Sequence, residues 1–175
     1  MACHICEIVQ NKKRVIYEDE KTVAFLVERP SSLGHIAIAP KEHYTILEQV
    51  PDYIIGQMFV ITNKVSIVAF ETLKAQGTNL IITNGTAAGQ RSPHFIVNMI
   101  PRFQDDNLGF QWQPKQLTEE EMSTVELQIK EQTKNIGGFE KEKEGPIEVK
   151  EGPEETIFEE EGKENYLIKH LRRIP

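Results

Sequence analysis

Cys3 and Cys6 are the chain's two cysteines, set two residues apart in Cys3-His4-Ile5-Cys6. That spacing suits a metal half-site, a redox pair, or two small buried side chains. A tetrahedral Zn²⁺ takes four N or S donors, so two thiolates leave two positions to fill. The chain has five histidines, His4, His35, His43, His94 and His170, and residue type alone does not select among them. A second feature is Asn84-Gly85-Thr86-Ala87-Ala88-Gly89-Gln90, followed by Arg91. Small residues let backbone N–H groups approach an anion, and the planar guanidinium of Arg91 can grip a phosphate or carboxylate. A third is His94-Phe95-Ile96-Val97-Asn98. In a strand alternate side chains share a face, so His94, Ile96 and Asn98 point the same way. His94 offers an imidazole. Asn98 offers an amide that can donate to a phosphate oxygen but is a very poor nucleophile. Ile96 has no lone pair with which to attack.

Short strands and two helices must hold these groups. The runs at 14–17, 22–27 and 35–39, bounded by polar turns and by Pro30 and Pro40, predict strands. Residues 52–76 keep helical spacing through Ile54, Ile55, Met58, Ile61, Val65, Val68 and Leu73, with Gly77 placed to end the helix. Strands are predicted again at 79–83 and at 94–100, the latter stopped by Pro101. Thr118 and Glu121 make a capping-box pattern for a second helix, with Met122, Val125 and Ile129 on one face and Gly137-Gly138 at its end. This is an α+β pattern, a sheet with helices on one face.

Gly34-His35-Ile36-Ala37-Ile38-Ala39-Pro40-Lys41-Glu42-His43-Tyr44, with Leu47 following, resembles the GHxLVIPKxHY segment of histidine-triad (HIT) proteins. The Asn84–Gln90 loop, His94 four residues on, and Pro101-Arg102 resemble that family's NGxxAGQ…H…PR segment. Cys3-x-x-Cys6 resembles the cysteine pair of its zinc-containing branch, related to galactose-1-phosphate uridylyltransferases. The resemblance covers roughly residues 1–134. It implies a HIT-like antiparallel sheet with two helices, plus a C-terminal extension: a HIT-like domain at 1–138 with a zinc-binding N-terminus, and a separate segment at 139–175. It also implies a structural, closed zinc site of Cys3, Cys6, His43 and His94, with His35 as the substitute ligand. A homodimer paired through the long helix and adjacent strands is implied too.

The family's chemistry is nucleotidyl transfer or hydrolysis. The second histidine of a His-φ-His-φ-His strand attacks the α-phosphorus and forms a covalent nucleotidyl-imidazole. Here the second position is Ile96 and the third is Asn98. The position that holds the ribose in the family is Val27, with Glu28 beside it. The Asn eleven residues before the first triad position is Thr83, with Asn84 next. The Ser or Thr after Gly-Gln is Arg91. The metal side is kept while the ligand side is changed. The resemblance therefore leads to an expectation of no catalytic residue. Glu28, Asn84, Gly89, Gln90, Arg91 and Asn98 are the candidates to bind a nucleotide or small anion. Two other readings stand beside it: a nucleotide hydrolase or nucleotidyltransferase using a non-standard residue, and a protein-interaction module acting through the C-terminal tail.

The 175 residues suit one domain with an appendage. Net charge is -7, which argues against non-specific nucleic-acid binding. Residues 1–117 nevertheless hold eleven acidic and eleven basic residues, whereas 140–161 hold ten Glu and three Lys. The acidity belongs to a connector leading to a basic, apolar end at 166–174, not to the ligand-binding part. No run of about 18 consecutive apolar residues is present, and no secretory leader pattern is found, so the expectation is a cytoplasmic protein without membrane attachment.

Overall fold

The computed structural model describes residues 3–134 and 136–138. The chain divides into two units, Met1–Glu142 and Lys143–Pro175, and every described residue lies in the first. The connector and tail expected at 139–175, with His170, lie outside the described residues.

Five strands form one sheet: β1 (Val15–Glu18), β2 (Thr22–Leu26), β3 (Ile36–Pro40), β4 (Gly77–Ile81) and β5 (Val97–Arg102). Their spatial order is β1-β2-β3-β5-β4, and all neighbours are antiparallel. Asp19 closes the β1–β2 turn, its Oδ1 accepting from the backbone N–H of Lys21 and Thr22 at 2.9 and 2.7 Å. This Asx-type bonding is why an acidic residue stands there. β2 and β3 are buried on both faces except at Leu26, which explains their near-continuous apolar runs. Period two then divides their side chains between two cores. Ala24, Ile36 and Ile38 join Val97 and Met99 of β5 on one face, whereas Val23, Phe25, Ala37 and Ala39 form the other.

The first face is covered by α2 (Asp52–Leu73), through Ile54, Met58, Ile61, Val65 and Ala69. This helix is long and apolar enough to cross a membrane by length and composition alone. That stripe on the sheet is also what a core helix shows. It ends earlier than expected, because Lys74 takes the left-handed conformation with φ 58° and caps it. Gly77 instead opens β4, opposite Arg102.

The second face is covered by a helix that the sequence pattern does not predict. α1 (His4–Asn11) packs Ile5 and Ile8 on Val23 and Phe25. Eight residues carry too few turns for periodicity to be visible, and the segment has no side-chain N-cap. Among the described residues there are three α-helices, not two, and α1 and α2 cover opposite faces of the sheet rather than one. α3 (Glu119–Thr133) begins at the capping box of Thr118 and Glu121, as expected. None of its side chains is buried.

β5 also differs from the expected strand. It starts at Val97 and runs through Pro101. Proline is tolerated because β3 pairs only with Val97, Asn98 and Met99, so no β3 partner needs an N–H at 101. Arg102 then fixes the departing chain, donating to Asp106, to Asn79 Oδ1 at 2.5 Å and to the Leu108 carbonyl at 2.6 Å.

Candidate functional site

Three stretches distant in sequence meet at one end of the sheet. Cys3 is the N-cap of α1 and Cys6 lies one turn in. His43 follows β3, and His94 precedes β5. Their ligand atoms all lie within 4.8 Å of one another. His94 Nδ1 is 3.6 Å from the Sγ of both Cys3 and Cys6, and His43 Nδ1 is 3.3 Å from Cys6 Sγ. The two rings meet edge to face, 5.1 Å between centroids.

This geometry suits a zinc-sized ion. With Zn–S of about 2.3 Å and Zn–N of about 2.0 Å, tetrahedral donors stand roughly 3.5 Å apart. His94 is prepared for the role. Its Nε2 donates to the Pro40 carbonyl at 3.0 Å, which leaves Nδ1 bare and facing the thiols. Burial lowers its pKa, with help from His43 alongside, so the ring stays neutral. Burial pushes the Cys6 thiol up, and Cys3 beside it adds to the effect. A cation between them is what would favour the thiolates.

His94 also faces a cavity of about 190 Å³. The loop supplies Gly89, Gln90, Arg91 and Ser92. Thr83 lies just past β4, and His94, Ile96 and Asn98 complete the wall. The alternation inferred from sequence holds here even though the regular strand begins only at Val97: Phe95, Val97 and Met99 go to the α2 core. The loop turns on two glycines with φ 85° and 86°, Gly85 and Gly89, a region other residues adopt only under strain. Among the described residues, the lining includes the cation of Arg91 and no carboxylate. Ser92 Oγ is buried with no hydrogen-bond partner.

The candidate binding residues separate into three groups. Arg91 lines the cavity with its guanidinium. Asn98 lines it with an amide already bonded within the protein, Oδ1 accepting from His35 Nε2 and Nδ2 donating to the Ile81 carbonyl at 3.4 Å, which leaves one N–H. Gln90 lines it too, but its amide is used on the backbone: Oε1 accepts from Gly85 N–H, and Nε2 donates to the carbonyls of Thr45 and Ser92. Asn84 and Glu28 stand apart from it. Asn84 ties the loop to the Leu47–Gln49 turn, accepting from Leu47 N–H at 2.9 Å and donating to the Glu48 carboxylate. Glu28 pairs with Lys13, which lowers its pKa, and lies 3.9 Å from His4 Nε2. Val27 and Ile96 both pack against the cluster built on Ile5 and Ile8 of α1.

His35 does not join the cysteines. Its Nδ1 accepts from Ser31 N–H at 3.2 Å, and its Nε2 donates to Asn98 Oδ1 at 3.1 Å. Ser92 and the His35–Asn98 pair were not assigned from sequence. A serine beside an arginine in a loop carries no pattern, and the pairing joins residues 63 apart.

Comparison with known proteins shows the family and the fold of the chain. A HIT-like protein of Methanocaldococcus jannaschii is 33% identical over 106 residues, 59% of this chain and 81% of its own length. An adenylylsulfatase of Arabidopsis thaliana is 35% identical over 111 residues, 61% of this chain and 55% of its own. Among solved structures, a HIT family protein from Bacillus subtilis superposes with a TM-score of 0.69 at 25% identity, covering 75% of this chain and 96% of that one. A zinc-bound histidine triad family protein from Mycobacterium smegmatis gives a TM-score of 0.59 at 30% identity, covering 75% and 98%. The HIT domain family matches residues 9–105, more than half of the sequence, and the chain belongs to the HIT family.

Proposed function

We propose that this protein is a zinc-stabilised HIT-family member that binds a nucleotide or another small anion and lacks the family's nucleotidyl chemistry. One observation carries the reading. The cavity wall is His94, Ile96, Asn98, with an alkyl side chain at the position where the family resemblance expects the attacking imidazole. An alkyl group cannot form the covalent intermediate. His94 faces the cysteines through Nδ1, and both ring nitrogens of His35 are hydrogen-bonded within the protein.

Anion binding is supported by what remains. Arg91 can approach through its guanidinium fork, Asn98 through its amide and Ser92 through its unpartnered hydroxyl. No carboxylate among the described lining residues opposes them. Zinc held by Cys3, Cys6, His43 and His94 would supply a fixed cross-link, with no open position for water. It would tie α1 to the His94 wall, so the metal and the anion site are coupled through one residue. A cytoplasmic homodimer paired through α2 goes with this reading.

The test is calorimetric titration with AMP and GMP, alongside phosphorus NMR of incubations with adenosine phosphoramidates, dinucleoside polyphosphates and adenylyl sulfate. The last is included because one relative is named an adenylylsulfatase. Binding without turnover is expected. Turnover that disappears in Asn98→Ala or Arg91→Ala would establish the hydrolase or nucleotidyltransferase reading instead. Failure to bind either nucleotide at millimolar concentration would favour a protein-interaction module.

A further inference from the structure

Cys3 and Cys6 carry a chemistry that a closed metal site leaves unused. They are the chain's two cysteines, and both are free thiols. Cys3 caps the N-terminus of α1 and Cys6 is its third residue, so one helical turn separates them. With a 1.5 Å rise and a 2.3 Å radius, Cα atoms three residues apart on a helix stand about 5 Å from each other. That falls inside the span of about 4.4–6.8 Å across which a disulfide closes. The two Sγ atoms already lie within 4.8 Å of each other, and each is 3.6 Å from His94 Nδ1. Ile5, between them, is buried in the cluster with Val23 and Phe25 and holds the turn that carries both thiols.

The two sulfurs differ in access. Cys3 packs against the apolar cluster under α1. Cys6 lies 3.3 Å from Nδ1 of His43, which is exposed. A small oxidant arriving from solvent therefore meets Cys6 first.

We propose that Cys3 and Cys6 form a reversible oxidation site for hydrogen peroxide, closing to a disulfide that gives up the metal. The Cys6 thiolate attacks one peroxide oxygen. An S–O bond forms, the O–O bond breaks, and the departing hydroxide takes a proton and leaves as water. The Cys3 thiolate then attacks the Cys6 sulfur. An S–S bond forms, the S–O bond breaks, and a second hydroxide leaves as water after protonation. Two electrons pass from the sulfurs to the peroxide, and solvent supplies two protons. Disulfide sulfurs are neutral and stand about 2.0 Å apart, whereas the donors of a tetrahedral zinc ion stand roughly 3.5 Å apart. The ion and the disulfide therefore exclude each other. On oxidation His94 Nδ1 is freed beside the anion cavity, while Nε2 keeps the Pro40 carbonyl. Metal release rests on the zinc reading proposed above; disulfide closure does not.

The experiment treats the full-length chain, purified without added zinc, with hydrogen peroxide. Tandem mass spectrometry reads the peptide holding both cysteines, and a chromogenic chelator reads free zinc. The expected result is a Cys3–Cys6 disulfide with one zinc released for each one formed, and recovery of both thiols and metal with dithiothreitol and zinc. Cys6→Ser should slow oxidation of the remaining thiol at least about tenfold relative to Cys3→Ser, which should collect a Cys6 sulfenic acid captured by a 1,3-dione. Equal rates would overturn the order of attack. The result on the unmodified chain does not depend on how those variants fold. Thiols that survive peroxide able to oxidise free cysteine in the same tube would overturn the proposal. So would oxygen added at either cysteine in place of the disulfide, a disulfide between copies, or a disulfide that forms with the metal retained. Protein that is metal-free as purified yet closes the disulfide would uphold the oxidation site and overturn the zinc reading.

Discussion

The Nε2 of His35 lies 3.1 Å from the Oδ1 of Asn98, joining the residue before β3 to β5 beside the cavity. Both ring nitrogens are thereby committed. Nδ1 already accepts from Ser31 N–H, so a proton there would face another N–H. Burial lowers the His35 pKa, and the Asn98 bond offsets this only in part.

His35 is therefore expected to titrate below the usual imidazole value of about 6.5. The unfolded chain then binds more protons than the folded one just below that pH. This contribution to stability is present above about pH 6.5 and is lost as pH falls through it. Asn98→Ala should move the His35 pKa further down and cost about 1 kcal/mol from the lost bond. An NMR titration with urea unfolding at pH 7 and pH 5 checks both, and a His35 pKa above the usual value would contradict the geometry.

Metal removal should act on α1 first. Protein purified without added zinc is expected to hold one equivalent by metal analysis, and Cys3→Ala or His43→Ala should lose it. Loss of a cross-link worth at least about 3 kcal/mol would lower Tm on the order of 10 °C. Full metal content in Cys3→Ala would refute the assignment.

Gly34 takes φ +78°, and a Cβ built there would stand 2.3 Å from Leu73 Cδ1. Leu73 can swing aside, but the backbone cannot. Gly34→Ala should cost about 1–2 kcal/mol from the left-handed conformation, with Leu73→Ala failing to rescue it. Denaturant midpoints decide the matter: recovery in the double variant would place the cost in the side-chain contact instead.

Ile96→His returns an imidazole to the cavity wall. It should raise hydrolysis of an adenosine phosphoramidate by roughly 10²-fold or more above the unmodified chain, with an acid-labile adenylyl-protein intermediate. Packing against the Ile5–Ile8 cluster would be weakened by about 1–3 kcal/mol. A variant that binds AMP but stays silent would mean that the frame around Ile96 no longer serves catalysis.

Most of the architecture was legible from residues. Short apolar runs bounded by turn residues marked four strands closely, 3.6-residue spacing marked α2, and Thr118 with Glu121 marked the start of α3. These signals are local, generated by the backbone repeat itself. The lapses have one origin. α1 is too short to show a period, and its helix exists because Ile5 and Ile8 find the second face of the sheet. Lys74 in place of Gly77 at the end of α2, and Pro101 inside β5, depend on neighbouring chain that no local pattern reports.

By itself the sequence determined which chemical groups exist: two thiols two residues apart, a glycine loop ending in Arg91, and an alternating run from His94 to Asn98 with Ile96 in its middle. It thereby determined that this position carries an alkyl side chain without a lone pair. Only the tertiary structure decided which groups meet. It brought His94 rather than His35 to the cysteines, spent the Gln90 amide on backbone groups of Gly85, Ser92 and Thr45, and set Glu28 and Asn84 away from the cavity. Side-chain chemistry is written residue by residue. Proximity between residues tens of positions apart is decided by sheet register and packing, which the whole chain fixes together.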